Sequence, residues 1–211
     1  MKFEEYNLQK RISQGEGQHL DFKFAINDSK KIARSMSAFA NADGGILLIG
    51  VKDNGKIVGI KSEEEYYMIE TAAMLYCKPS MKYDVIKHDI EDKEVLEVIV
   101  YYSSDELIYA PDEHNNWCIY IRKNDKNYVA SSIYEDVWLA RHNNEIVKID
   151  DIDNFRKNIT KFSLKKIFTF KEFQKYFKLN YKDSYSLLMK LILLGWVDFF
   201  FDDEGEKYQF I

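Results

Sequence analysis

Ser37-Ala-Phe-Ala-Asn-Ala-Asp-Gly-Gly-Ile-Leu-Leu-Ile-Gly-Val-Lys-Asp-Asn-Gly55 carries a helix end, a buried strand and a turn in one short run. Just upstream, Ile32, Met36, Phe39 and Ala40 recur at three- and four-residue steps. That spacing predicts an amphipathic helix beginning near Ser29, capped by Ser29 or Asp28 and ended by Gly44 and Gly45. Residues 46–51 are aliphatic apart from one glycine, the mark of a strand buried on both faces. Asp53-Asn54-Gly55 then predicts a tight hairpin answered by residues 56–60, because the central positions of such a turn need positive φ angles.

Working outward, Phe3, Tyr6, Leu8 and Ile12 give a loose helical pattern that stops near Gly15, and residues 19–24 read as a short strand. Residues 63–76 read as a helix that must end before Pro79. Strands are expected over 83–90, 95–102 and 118–122, and a further helix over 132–143 with Ser132 as its cap. The fold class expected is α+β, a helix-flanked mixed β-sheet domain over residues 1–150. The acidic run at residues 150–153 is the expected boundary.

Beyond it, Thr169 and Glu172 have the spacing of a capping box, opening a helix through Phe173 and Phe177. A second helix runs from about residue 182 to 194, where Gly195 stops it. Residues 197–201 and 207–211 then flank Asp202-Asp-Glu-Gly-Glu206 as a hairpin. Helix, helix, hairpin is the order of a small winged helix-turn-helix-like domain, expected over residues 151–211. Leu187, Leu188, Leu191 and Leu194 of the second helix are expected to face its core.

The chain has 211 residues and a net charge of -5, unevenly spread. Residues 1–150 carry 19 basic against 26 acidic side chains, whereas residues 154–197 carry ten basic side chains against only Glu172 and Asp183. A phosphate-bearing partner would prefer the second stretch. Residues 1–10 have no apolar signal core and no apolar run is long enough to span a bilayer, so a cytoplasmic protein without membrane association is expected. Cys77 and Cys118 lie far apart and read as reduced thiols, and His19, His88, His114 and His142 have no zinc-ligand spacing. No Gly-rich phosphate-cradling loop is present.

Gly15-Glu-Gly-Gln-His-Leu-Asp-Phe-Lys23, the run from Ser37 to Asp53 and Ile57-Val-Gly-Ile60 together resemble the Schlafen AlbA-like domain. That pattern is a Glu and a second acid five residues on, then Phe-Lys, then Ala-Phe-Ala-Asn with Gly-Gly following, then Ile-Gly-Val-x-Asp. Weaker agreement continues through Ile119-Tyr-Ile-Arg122 and Ala130-Ser131, so the resemblance covers about residues 1–145. It implies a nucleic-acid-associated fold. In members with ribonuclease activity the matching acids form a three-carboxylate site, here Glu16, Asp21 and Asp53, with Asp21 one methylene shorter than the more usual Glu. Three gathered carboxylates repel one another, so such a site calls for a hard cation, Mg²⁺ or Mn²⁺.

Other residues can meet nucleic acid directly. Lys23, beside Asp21, can hold a phosphate. Arg122 and Lys123 can contact the backbone with Tyr120 stacking on a base, or alternatively Tyr120 is sheet core and Arg122 a solvated or paired strand end. In the C-terminal domain Lys171, Lys175 and Lys178 are phosphate candidates. Tyr181, Lys182, Ser184, Tyr185 and Ser186 are expected to form the exposed end of a recognition helix. Asp202, Asp203, Glu204 and Glu206 make the hairpin acidic, which argues against its lying along a duplex. The leading expectation is a DNA- or RNA-binding protein, a DNA-binding transcriptional regulator, with a homodimer as a further candidate assembly. A metal-dependent endoribonuclease and a non-catalytic interaction or oligomerisation module are the alternatives.

Overall fold

A computed structural model describes residues 3–145 and 165–211, together with Ile159 and Phe162. It divides the chain into two compact units, Met1–Val129 and Ala130–Ile211. The acidic run at residues 150–153 lies outside the described residues.

The first unit opens with α1 (Phe3–Ile12), β1 (Leu20–Lys23), α2 (Ser29–Ala40) and β2 (Gly45–Ile49). It continues through α3 (Glu64–Leu75), β3 (Tyr83–Ile90) and β4 (Lys93–Val100). A mixed four-stranded sheet of order β1-β2-β4-β3 results, with β1 parallel to β2 and the other pairs antiparallel. The alternation of β2 sorts its two faces. Leu47 and Ile49 pack with Ile32, Met36 and Phe39 of α2 and Ile69 of α3. Leu48 points the other way, onto Phe22, Val95 and the buried Leu8 and Ile12 of α1. α2 takes its cap from Asp28, whose side chain accepts from the Lys30 N–H.

The hairpin expected after β2 is reduced to one bridge, Val51 with Ile57, and the antiparallel partner of β2 is β4. The reason lies at Gly50, whose carbonyl accepts both the Val58 and Gly59 N–H groups at 2.8 and 2.9 Å and leaves no ladder to propagate. The turn itself forms, with the Gly55 N–H donating to the Lys52 carbonyl at 2.7 Å. At the other end of β2, Gly44 has φ +72° and a Cβ there would stand 2.9 Å from the Val100 carbonyl oxygen. A Cβ on Gly45 would fall 2.2 Å from the Phe39 ring.

Three further strands, β5 (Tyr109–Pro111), β6 (Trp117–Lys123) and β7 (Lys126–Val129), form an antiparallel sheet of order β5-β6-β7. Asn41 at the end of α2 ties this sheet to the first layer. Its Nδ2 donates to the Ile108 and Tyr120 carbonyls at 2.8 and 3.0 Å, and its Oδ1 accepts from the Ile108 N–H at 2.7 Å. Ser37 adds a hydroxyl bond to the Ile108 carbonyl at 2.6 Å.

The second unit contains α4 (Ser132–His142), β8 (Ile167–Phe168), α5 (Phe170–Phe177), α6 (Tyr181–Leu193), β9 (Val197–Asp202) and β10 (Gly205–Phe210). Its sheet has the order β8-β10-β9. α4 belongs with the second unit and not with the expected first domain, since Ile133 and Val137 pack with Leu188, Leu191, Phe173 and Val197 in one core. Ser131, not Ser132, caps α4, accepting from the Tyr134 N–H. The capping box of Thr169 and Glu172 forms at the head of α5. On α6 the core face is Ser184, Leu188, Leu191 and Ile192, while Leu194 is 37% exposed. The inward stripe is thus rotated from the expected one.

Candidate functional site

β1 brings Asp21 and Lys23 to one edge of the four-stranded sheet, and the loop before it carries Glu16. The Glu16 Oε1 accepts from the Phe22 N–H at 2.8 Å. Partial burial pushes the Glu16 carboxyl above its ordinary range, and the neighbouring Asp21 adds to the rise. These two carboxyls are therefore brought together. Asp53 sits exposed in the turn after β2 and lines a cleft of about 700 Å³. Gly15, Ile12, Phe22, Asn54 and Lys56 line the same cleft, so the turn does lie against the end of α1 and its following loop.

Among the described residues, no group of three or more His, Cys, Asp or Glu side chains is placed to hold a metal ion. The three-carboxylate arrangement implied for Glu16, Asp21 and Asp53 is not assembled. Asp21, moreover, already has cationic partners. Its carboxylate is 5% exposed and is met by the Arg122 Nη2 at 3.4 Å and the Lys23 Nζ at 2.5 Å. Two cations already balance it, so this donor set does not fit Mg²⁺ or Mn²⁺.

Arg122 is a strut. It is 2% exposed, and its guanidinium donates to the Gly17 carbonyl at 3.0 and 3.1 Å, to the Leu20 carbonyl at 3.2 Å and to the Asn127 Oδ1 at 3.0 Å. Its face lies over the Phe39 ring at 5.0 Å. The expectation of a phosphate contact from Arg122 is corrected by that burial. Tyr120 is likewise in the core and cannot stack on a base. Lys123, one residue on, is exposed, and Lys23 is one-third exposed while paired with Asp21.

In the second unit Lys171, Lys175 and Lys178 are exposed on α5 and just past its end, and Tyr181, Lys182 and Ser186 are exposed at the head of α6. The side chains of these four lysines have no ion pair with a described residue. Two members of the expected recognition set behave differently. Ser184 is completely buried, and Tyr185 is half-buried with its hydroxyl donating to the Asp136 Oδ2 at 2.5 Å. Burial, with that bond adding to it, pushes the Tyr185 phenol up to about 12.

The hairpin β9–β10 is less acidic than its residue list suggests. Lys207 Nζ donates to the Asp202 Oδ2 at 2.7 Å and to the Glu204 Oε2 at 2.6 Å. Those bonds, Asp202 first, hold the Lys207 ammonium up at about 12 and pull the Asp202 carboxyl below its usual range. Glu206 turns to the head of α4, accepting from the Ser131 N–H at 2.9 Å, the Ser131 hydroxyl at 2.5 Å and the Tyr208 hydroxyl at 2.8 Å. No local sequence signal marks this pairing, because Ser131 and Glu206 lie far apart in the chain.

The sequence model of the family Schlafen, AlbA_2 matches residues 16–131, more than half of the chain. The chain belongs to the Schlafen AlbA_2 family. The match spans Glu16, Asp21, Asn41, Gly44, Gly45, Asp53 and Arg122, the residues around which the first unit is built. No curated protein matches. Among solved structures, the DIP2311 protein from Corynebacterium diphtheriae is similar at 20% identity and a TM-score of 0.45, over 59% of this chain. The chain covers only 27% of the length of that protein. The N-terminal domain of a RecG-related protein from Nitrosomonas europaea is similar at 20% identity and a TM-score of 0.42, over 56% of this chain and 86% of that one. No helix among the described residues of this Schlafen AlbA_2 protein is long and apolar enough to cross a membrane.

Proposed function

We propose that this Schlafen AlbA_2 protein binds nucleic acid and that its second unit, read as a winged helix-turn-helix, docks on duplex DNA as part of a transcriptional regulator. The observation that carries the reading is the row of exposed lysines on adjoining helices, Lys171, Lys175 and Lys178 with α5 and Lys182 with α6, none compensated by a described residue. Helix, strand, helix, helix and hairpin follow in the order of such modules. In that geometry the head of α6 meets base edges through Tyr181, Lys182 and Ser186, while the α5 lysines hold the flanking phosphates. Lys207 cancels one of the hairpin's carboxylate charges and so lowers the repulsion that their number implies. Membership of the family supports a nucleic-acid partner in general.

Titration of the full chain with duplex DNA at two salt concentrations tests the reading. Each lysine that displaces a counterion contributes about 0.9 to the slope of log affinity against log salt. Replacing Lys171, Lys175, Lys178 and Lys182 together by Gln is expected to flatten that slope by about 3 to 4. Absence of any duplex binding at low salt rules the reading out.

A further inference from the structure

Phe24 follows β1 and is 45% exposed, and two ammonium groups lie over its ring: Lys52 Nζ at 5.1 Å and Lys61 Nζ at 5.4 Å from the centroid. The three residues come from three separate segments, the end of β1, the turn after β2 and the loop before α3. β1 and β2 are the parallel pair of the sheet, joined by α2, and their carboxyl ends run on side by side, with the Gly50 N–H donating to the Lys23 carbonyl at 2.8 Å.

The trio is fixed from beneath. Glu65 is 4% exposed, and its two carboxylate oxygens accept from the Ile26 N–H at 2.9 Å and the Lys61 N–H at 2.7 Å. One buried carboxylate thus pins the segment carrying Phe24 to the segment carrying Lys61. Lys52 is held by the turn that follows it, its N–H donating to the Lys56 carbonyl at 3.0 Å and its carbonyl accepting from Gly55. An aromatic ring left half in water on backbone this constrained is presented to solvent and does not collapse into the core.

We propose that Phe24, Lys52 and Lys61 form a binding site for single-stranded nucleic acid, one unpaired base lying on the Phe24 ring with its neighbouring phosphates on the two ammonium groups. The negative face of the ring draws the lysines while no ligand is present. A strand offers each partner its better match, a phosphate for the ammonium and a base for the ring. Bases within a duplex keep their faces stacked on one another, so the ligand is a single strand, and every base has a π-face, so the site reads no sequence. The proposal rests on the nucleic-acid reading of this family member but uses the first unit and none of the lysines of the second.

Fluorescence anisotropy of the full chain with labelled oligothymidylate, oligouridylate and duplex DNA tests it. Phe24→Leu keeps the apolar bulk at an exposed position and removes the ring. It is expected to weaken single-strand binding by about 5- to 100-fold and to leave duplex binding unchanged. Phe24→Trp is expected to retain the affinity and to show quenched emission on binding. Lys52→Gln with Lys61→Gln should lower the salt slope for single strands by about 1.4, about 0.7 for each phosphate contact. Single-strand affinity indifferent to Phe24→Leu overturns the proposal, as does a chain that binds duplex and neither single strand. A chain that binds a single strand through Phe24 but no duplex leaves this site standing and removes the duplex reading of the second unit. The thymidylate and uridylate arms separate DNA from RNA.

Discussion

Arg122→Met is the substitution that best separates a strut from a ligand. The guanidinium is buried to 2% exposure and satisfies the carbonyls of Gly17 and Leu20, the Asn127 side chain and one oxygen of Asp21. Breaking a buried ion pair by removing one partner costs about 3–5 kcal/mol, because the remaining charge stays desolvated. Lys23 remains on the other Asp21 oxygen at 2.5 Å with a third of its side chain in water, which places the loss near the lower end, about 3 kcal/mol. For a unit of this size that lowers Tm by roughly 10 °C. Urea denaturation followed by circular dichroism reads the change as a lower midpoint at constant slope. A double variant, Arg122→Met with Asp21→Asn, should recover part of the loss, since both buried charges then leave together. An unmoved midpoint accompanied by weakened nucleic-acid binding would refute the strut and restore Arg122 as a phosphate contact.

Asn41→Ala removes three hydrogen bonds that join α2 to the Ile108 and Tyr120 backbone and leaves buried groups unpaired, at about 1–3 kcal/mol for each. Amide exchange of Ile108 should accelerate in that variant, and an unchanged rate would show that the bond is dispensable. Glu172 has its carboxyl pulled from 4.5 down to about 2, first by Lys165 and then by the Thr169 N–H of the capping box. A depressed carboxyl contributes stability above its unfolded value and loses it as pH falls, so α5 should weaken between about pH 4.5 and pH 2. Glu172→Gln should flatten that acid-side slope in a thermal melt. A slope identical to that of the unaltered chain would remove Glu172 from the cause.

Local signals carried the first unit well because its elements are cut by residues with backbone consequences. Asp28 caps α2, Gly44 with its positive φ turns the chain into β2 after the helix closes at Asn41, and Asn54-Gly55 makes the following turn. The same signals could not tell which strand β2 would pair with, since pairing is decided by distant partners and by the two donors that converge on the Gly50 carbonyl. β5 escaped detection because Pro111 within a three-residue run reads as a breaker, and only its edge position makes the proline tolerable. Among the candidate site residues, those whose exposure follows from helix periodicity, such as Lys171 and Lys175, emerged in solvent. Arg122 and Ser184 did not, for different reasons. A cation at a strand end looks the same in sequence whether it faces water or a buried carboxylate. On α6 the buried stripe includes Ser184 and Ile192 and leaves out Leu194, a rotation that leucine counting alone does not reveal.

The charge sum misleads for a related reason. A carboxylate in contact with an ammonium presents a dipole to an approaching phosphate, and the field of a dipole fades with distance faster than that of a charge. Asp202 and Glu204 share Lys207, which cancels one of their two charges, and Glu206 is turned to the head of α4. The lysines of α5 and α6 have no such partners among the described residues, so the field over that face is set by them and not by the total of -5. A chain that is acidic overall can therefore present a cationic face wherever its acids are engaged locally and its lysines are not. Lys52 and Lys61 follow the same rule in the first unit, resting on an aromatic ring with no carboxylate of the described residues paired to them, and are released to a phosphate at little electrostatic cost.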